Sequence, residues 1–167
     1  SSKVAELFYP DSVIDFPKKN LKALDQFYKG KCGVNSLVGS DVSIGEGTTI
    51  GSNTIIEDNV VIGKNCMIGS NVMIKNSIIE SNVHILDNAI IGKKGFGFIP
   101  SKEINYRYPH IGYVLIKNNC EIGAASTIDR GSLSVTVIGD NTFLDNQVHI
   151  AHNVKIGKNC IIAGQVG

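Results

Sequence analysis

An apolar residue returns every six positions along most of this chain. Val38, Ile44, Ile50, Ile56, Ile62, Ile68 and Ile74 keep the count, and Leu144, Ile150, Ile156 and Ile162 take it up again. No α-helix fits such a beat, because six residues at 3.6 per turn swing the apolar side chain far off one face. A short repeat of this kind predicts a quasi-one-dimensional stack, in which each unit buries its apolar side only against its neighbours.

The rest of each hexad predicts how the chain turns. Glycine follows the apolar residue at Gly39, Gly45, Gly51, Gly63, Gly69, Gly123, Gly139 and Gly157, and asparagine comes two places later at Asn53, Asn59, Asn65, Asn71, Asn141 and Asn159. Glycine and asparagine accept positive φ most readily, so a corner is expected every six residues between short extended segments. One place after the corner stands a small or β-branched residue: Thr48, Thr54, Val60, Cys66, Val72, Cys120, Val148, Val154 and Cys160. These two inward positions fill a narrow core. The pattern resembles the left-handed parallel β-helix family, and that resemblance implies an all-β fold in which three hexads close one coil of about 18 residues.

Two breaks interrupt the count. Val38 to Ile91 supplies about three coils, with one slip where Ile79 follows Ile74. A second block starts at Ile116, Ile122 and Ile128, then jumps to Ile138. Segments 92–115 and 129–137 are therefore read as loop insertions, which in repeat proteins map to the surface and often to a binding face. The expected organisation is a short mixed N-terminal segment over 1–33 and a β-helix over 34–167.

Composition narrows the function classes. The chain is 43% hydrophobic and holds no run of 18 apolar residues, so no membrane-spanning helix is encoded. No signal peptide is visible, and a cytoplasmic location is expected. A net charge of +1 gives no case for nucleic acid or an anionic membrane surface. Cys66, Cys120 and Cys160 share the inward slot and read as core filling; Cys32 lies outside the repeat without an obvious mate, and no zinc-ligand spacing occurs, so no metal is expected. Val4, Leu7 and Phe8 before Pro10 suggest the tail of a helix from a preceding domain, and the chain reads as a fragment. Leu21, Leu24, Phe27 and Tyr28 before Gly30 fit either a short helix or a degenerate first coil.

Four histidines are the candidates for chemistry. His84 sits in an ordinary hexad, and His110 lies in the long insertion within YPHIG; both read as surface or hydrogen-bonding residues. In DNQVHIAHN (145–153), His149 and His152 flank Ile150, and His152 falls at a corner just before the turn residue Asn153. A corner histidine projects outward, and its ordinary pKa of about 6.5 suits it to act as a general base near neutral pH.

The order GKKGFGFIP (92–100), YPHIGYVLI (108–116), EIGAASTIDRGSL (121–133) and LDNQVHIAHNVKIG (144–157) resembles the UDP-3-O-(3-hydroxyacyl)glucosamine N-acyltransferase family of lipid A biosynthesis. The resemblance runs over about residues 30–167. It implies a cytoplasmic homotrimer with an amino-terminal uridine-binding domain, of which residues 1–9 would be the end. The implied activity transfers a 3-hydroxyacyl group from acyl carrier protein, through its phosphopantetheine arm, to the 2-amine of UDP-3-O-acylglucosamine, with no tightly bound cofactor. His152 matches the family's catalytic base. Asp145 and Asn146 match the polar pair before it, and with His149 and Asn153 they are the candidate substrate contacts. Asn146 can also be read as a corner residue, and His149 stands where glutamine is common.

The insertion 92–115 carries Phe96, Phe98, Tyr106, Tyr108 and Tyr113, too bulky for a thin core. These aromatics cover apolar surface between subunits, or Phe96 and Phe98 line the path of an acyl chain or pantetheine arm. Arg130 meets a phosphate, or pairs with Asp129 or a neighbouring subunit. Three rival readings remain at this stage. One is another hexapeptide-repeat acyltransferase using coenzyme A. A second is a γ-carbonic-anhydrase-like metalloenzyme, which needs three converging imidazoles. The third is a purely structural or ice-binding solenoid, which needs flat repetitive threonine faces that this chain does not show.

Overall fold

The computed structural model describes residue 15 and residues 20–166. Strands of mostly two residues alternate with corners, and they assemble into three sheets of seven, six and seven strands wrapped around one axis, parallel throughout except for the first strand. We call these the A, C and B faces in the order the chain visits them from Leu37, Ser43 and Thr49. The result is a parallel β-solenoid. Expectations for Val4, Leu7, Phe8 and the rest of residues 1–9 lie outside the described residues.

The asparagine corners form as expected, whereas the glycines named above after the hexad isoleucines do not take positive φ; most are needed because a Cβ there would strike the next coil, at Gly45 only 2.5 Å from the Gly63 backbone. Asn53, Asn59, Asn65 and Asn71 take φ of 55°, 59°, 54° and 57°, and Ala125 and Gln147 take φ of 57° and 59° where the asparagine is replaced. Between corners, each hexad isoleucine stacks on the one a coil away. Val38 faces Ile56, Ile56 faces Ile74, and Ile74 faces Ile91. Ile56, Ile62, Ile74, Ile91, Ile122, Ile128 and Ile138 are at most 1% exposed, so the interior is a column of branched aliphatics with no room for a larger residue.

The second inward slot does more than fill space. Thr54 donates its hydroxyl to the Gly69 carbonyl at 2.8 Å and accepts from the Val72 N–H at 3.2 Å, stitching one coil to the next. Thr48 repeats the arrangement with Gly63 and Cys66. The thiols of Cys66 and Cys120 donate to the Glu80 and Gly139 carbonyls, and burial pushes both thiol pKa values up, which keeps them protonated and inert. Val154 departs from the pattern and is 37% exposed. Cys32 is also corrected: it belongs to the repeat, because its strand Lys31–Cys32 pairs in parallel with Thr49–Ile50 and its side chain packs on the core.

Near the N-terminal end, strand Lys22–Ala23 runs antiparallel against Leu37–Val38, and one helical turn, Leu24–Phe27, places a fully buried Leu24 over the core. This short strand occupies a sheet edge that would otherwise present unpaired backbone groups.

The stacking registers show how the two breaks are absorbed. Along the A face, Ile91 is followed by Ile128 and Ile128 by Ile150. The regular partners are 18 positions apart, whereas these are 37 and 22 apart. Extra residues are therefore extruded at a corner while the core column continues without a gap. The longer extrusion leaves after strand Ile90–Lys93, forms a small antiparallel hairpin, Phe98–Ile99 with Tyr106–Arg107, and returns at Tyr113–Ile116. The shorter one lies between Thr127–Asp129 and Val135–Ile138. Both leave the A face toward the C face, so they share one edge of the prism.

Candidate active site

His152 stands on that edge, at the corner between strands His149–Ile150 and Lys155–Ile156. The two extrusions meet beside it. Ile111 N–H donates to the Ser132 carbonyl at 2.7 Å, Arg130 Nε donates to the Gly112 carbonyl at 2.6 Å, and Ser132 N–H donates to Asn153 Oδ1 at 2.9 Å. A surface loop is thereby fixed against the corner that carries the histidine.

Of the two readings of His110, surface or hydrogen-bonding, the structure keeps the second: it is 1% exposed, and its ring meets the His152 ring edge-to-face at 4.9 Å between centroids. Its Nδ1 lies 2.9 Å from the Tyr108 carbonyl, while its buried Nε2 has no hydrogen-bond partner among the described residues. Burial lowers the His110 pKa; the Tyr108 carbonyl and Asp129 act the other way, and His152 and Arg130 add to the lowering. Two glycines make room for the ring. A Cβ on Gly95 would lie 2.7 Å from His152 Cδ2 and 3.0 Å from His110 Nε2, and one on Gly97 would lie 2.7 Å from His110 Cε1.

One coil away, Asp129 is 1% exposed at the same edge. Its Oδ1 pairs with Lys93 Nζ, and its Oδ2 has no hydrogen bond but lies 3.7 Å from His149 Nε2. His149 Nδ1 in turn lies 2.7 Å from Thr127 Oγ1. Lys93, and not Arg130, is thus the partner of Asp129; Arg130 is turned to the Gly112 carbonyl. The same corner column, lower in the stack, holds a second buried pair, Lys75 Nζ to Glu57 Oε1 at 3.0 Å.

Asp145 and Asn146 lie at the preceding corner, between the B and A faces, with strand His149–Ile150 separating them from His152. Asp145 accepts from the Asn146 N–H at 2.7 Å and the Gly164 N–H at 3.0 Å, and these two bonds hold its pKa below the usual carboxylate range. Asn146 Oδ1 accepts from the Ala124 N–H at 2.7 Å, while the positive φ of this corner falls on Gln147. Within one chain the structure brings His152, Asn153 and His149 to one edge and leaves Asp145 and Asn146 at another. Phe96 and Phe98 pack on each other at 5.0 Å and, with Asn105 and Arg107, line a shallow hollow on the hairpin. His84 is partly exposed on the B face, 4.0 Å from Glu121. Among the described residues no three histidine, cysteine or acidic side chains converge as a metal site.

The bacterial transferase hexapeptide (six repeats) family model matches residues 41–76 and 136–167. A UDP-3-O-acylglucosamine N-acyltransferase 2 of Legionella pneumophila strain Paris is 54% identical over 93 residues, 56% of this chain and 27% of the relative. A UDP-3-O-acylglucosamine N-acyltransferase of Bradyrhizobium diazoefficiens is 51% identical over 92 residues, 54% of this chain and 26% of the relative. Over this stretch the chain is homologous to enzymes named UDP-3-O-acylglucosamine N-acyltransferase. The match spans about a quarter of the length of these relatives. Among solved structures, the Francisella novicida UDP-N-acetylglucosamine acyltransferase superposes with a TM-score of 0.67 at 30% identity, covering 76% of this chain and 45% of that one. The Campylobacter jejuni UDP-N-acetylglucosamine acyltransferase gives 0.69 at 25% identity, covering 78% and 50%. The solenoid of this homologue is therefore the architecture on which acyltransferases with sugar-nucleotide names are built.

Proposed function

We propose that the protein carries the acyl-transfer site of a UDP-3-O-acylglucosamine N-acyltransferase. The observation that carries this reading is the place of His152: an outward corner imidazole, enclosed by the two extrusions, in a chain of which a stretch of 92–93 residues is about half identical to enzymes of that name. The donor is a 3-hydroxyacyl thioester on the phosphopantetheine arm of acyl carrier protein, and the acceptor is the 2-amine of UDP-3-O-acylglucosamine, in the cytoplasm. His152 takes a proton from the amine as its nitrogen adds to the thioester carbonyl. Collapse of the adduct breaks the carbon–sulfur bond, and the departing thiolate takes the proton from the imidazolium, leaving an amide and a free thiol.

A homotrimer fits the surface. On the C face Val61 and Ile78 are register partners exposed at 42% and 38%, Ile78 faces Leu115 on the next strand, and Tyr113, two residues before Leu115, is 42% exposed, which makes an apolar stripe on a face that meets the His152 edge. A three-fold ring would cover that stripe and set the Asp145 corner of one copy against the His152 edge of the next. Phe96 and Phe98, at 74% and 40% exposure, would then line the acyl or pantetheine path or the contact between copies.

Replacing His152 by alanine should lower kcat/KM by about 10²–10⁴ with the melting temperature unchanged, and His149→Gln should stay within a few-fold of the parent. Near-normal turnover by His152→Ala sinks the assignment. Mixed assemblies of His152→Ala and Asp145→Ala chains should recover activity that neither has alone; no recovery in trimers verified by mass removes Asp145 from a shared site.

A further inference from the structure

Two hydrogen-bond networks fix where the protons of His110 and His152 lie. A backbone N–H can only donate, so Ser132 N–H at 2.9 Å identifies the facing atom of Asn153 as Oδ1. The other end of that amide is then Nδ2, which donates to Ser132 Oγ and, at 2.9 Å, to His152 Nδ1. A nitrogen that accepts carries no proton, and neutral His152 therefore rests with its hydrogen on Nε2. For His110 the logic runs the other way. A carbonyl can only accept, so the 2.9 Å contact with Tyr108 puts the hydrogen on Nδ1 and leaves Nε2 a bare, buried lone pair. The rings have opposite tautomers: one offers an N–H at Nε2, and the other an unsatisfied acceptor at Nε2.

We propose that His110 is a positioning residue for His152, its Nε2 accepting the His152 Nε2–H when the rings close up, so that Nδ1 is the atom of His152 that takes the substrate proton. The inference rests on the acyl-transfer reading of His152 and names the base nitrogen and its support. At 4.9 Å between centroids and 81° between planes, the rings are in contact but not yet hydrogen-bonded. The closing movement is a turn of the His152 side chain over Gly95, where a Cβ would lie 2.7 Å from His152 Cδ2 and 3.0 Å from His110 Nε2. A buried acceptor without a partner costs on the order of 1–3 kcal/mol, and closure removes that cost. It also carries His152 Nδ1 away from Asn153 Nδ2, whose N–H stands where the N–H of the attacking amine must donate. His110 is the fixed partner: its ring is 1% exposed with Nδ1 bonded to the Tyr108 carbonyl, and its backbone is held by Ile111 and Gly112 N–H on the Ser132 and Gly131 carbonyls and by Tyr108 N–H on the Gly97 carbonyl. The charged and titratable groups facing it are His152, Asp129, Arg130 and the Tyr108 ring, whose centroid is 6.5 Å away.

Long-range proton–nitrogen NMR of the histidine rings, assigned by losing one signal at a time in His152→Gln and His110→Gln, reads the tautomers without turnover. The expected result is Nε2–H for His152 and Nδ1–H for His110 in the unliganded protein at pH 8. In the acyl-transfer assay, His110→Phe keeps an aromatic ring and loses the acceptor, and kcat should fall about 10-fold or more with KM within about 2-fold. His110→Gln, whose Oε1 can accept, should restore most of that loss. An Nδ1–H tautomer at His152, an unchanged kcat in His110→Phe, or a glutamine variant no better than phenylalanine with both chains folded overturns the proposal. If His110→Phe does not fold, the spectra of the unaltered protein decide. Should His152→Ala retain turnover, the functional reading fails on that result alone, while the tautomers stand or fall by NMR.

Discussion

Two stretches of the same edge of the prism are built from the same corner and do different things. In the coils from Leu37 to Ile79, the corner after the A face holds Glu57 and Lys75, a buried pair whose charges are matched and whose neighbours are regular strands. In the coils from Ile90 to Ile156, that corner holds Asp129 with one carboxylate oxygen unbonded, and the extrusions that bury His110 beside His152. The regular stretch closes its polar groups on itself. The interrupted stretch leaves acceptors open at Asp129 and His110, the condition in which a buried site can still take up a hydrogen or a ligand group.

Breaking the regular stretch should have the largest effect. Ile62 is 1% exposed, so Ile62→Asn loses apolar contact and buries an unsatisfied amide, about 3–5 kcal/mol by denaturant titration. Ile156 is only partly buried, and Ile156→Asn should cost clearly less. Lys64→Asn, on an exposed corner, should be close to neutral. Equal losses at Ile62 and Lys64 would mean that the inward column does not carry the stability.

Breaking the interrupted stretch at its ion pair should cost less. Asp129→Asn removes the buried charge facing Lys93, but the Lys93 side chain is 32% exposed and can turn to water. The expected loss is about 1–3 kcal/mol. Glu57→Gln leaves Lys75 with a side chain only 9% exposed, and it should cost at least as much. If Asp129→Asn proves the more damaging, the matched pair is not the tighter of the two.

Most of the fold was legible because each hexad states its own geometry: Asn marks positive φ and the isoleucine three places away marks the inward face, while a glycine such as Gly45 after the isoleucine takes no positive φ and instead leaves room for the backbone one coil away. That reasoning even reaches Cys32, six positions before Val38, although the apolar count taken from Val38 left it out. The site was legible only in part. His152 stands out as a corner histidine, and the resemblance gives it a role. His110 could not be read as buried, since its burial depends on Gly95 and Gly97 and on the docking of Ile111 and Gly112 against residues 131 and 132, contacts that no local pattern announces. The partner of Asp129 was hidden for the same reason, because the register that sets Lys93 beside it crosses the whole insertion, whereas Arg130 is merely adjacent in sequence.

A glycine pair sharpens the comparison with a smaller change in stability. On Gly95 a new methyl would press on His152 and His110, whereas on Gly157 it would meet only Cys160 Sγ at 3.9 Å. Gly95→Ala should cut turnover about 10-fold through displacement of the base, with a shift in melting temperature of a few degrees at most. Gly157→Ala should alter neither. Full activity in Gly95→Ala would show that the floor between the two rings is not needed.

The smallest effect is a pH dependence carried by His110. Burial holds its folded-state pKa below the ordinary value near 6.5, so in the unfolded chain this ring binds a proton first as pH falls. Its contribution to stability is therefore complete above about pH 6.5 and declines as pH drops from there toward the lowered folded value. His152, Asp129, Arg130 and the Tyr108 ring face this position in both forms of the experiment, and the carboxylates that titrate lower down are common to parent and variant. Between pH 7 and 5 the parent should lose melting temperature more steeply than His110→Gln, which has nothing to protonate at that position. Parallel curves for the two proteins would place His110 in contact with water, and would remove the buried acceptor on which the difference between the two stretches depends.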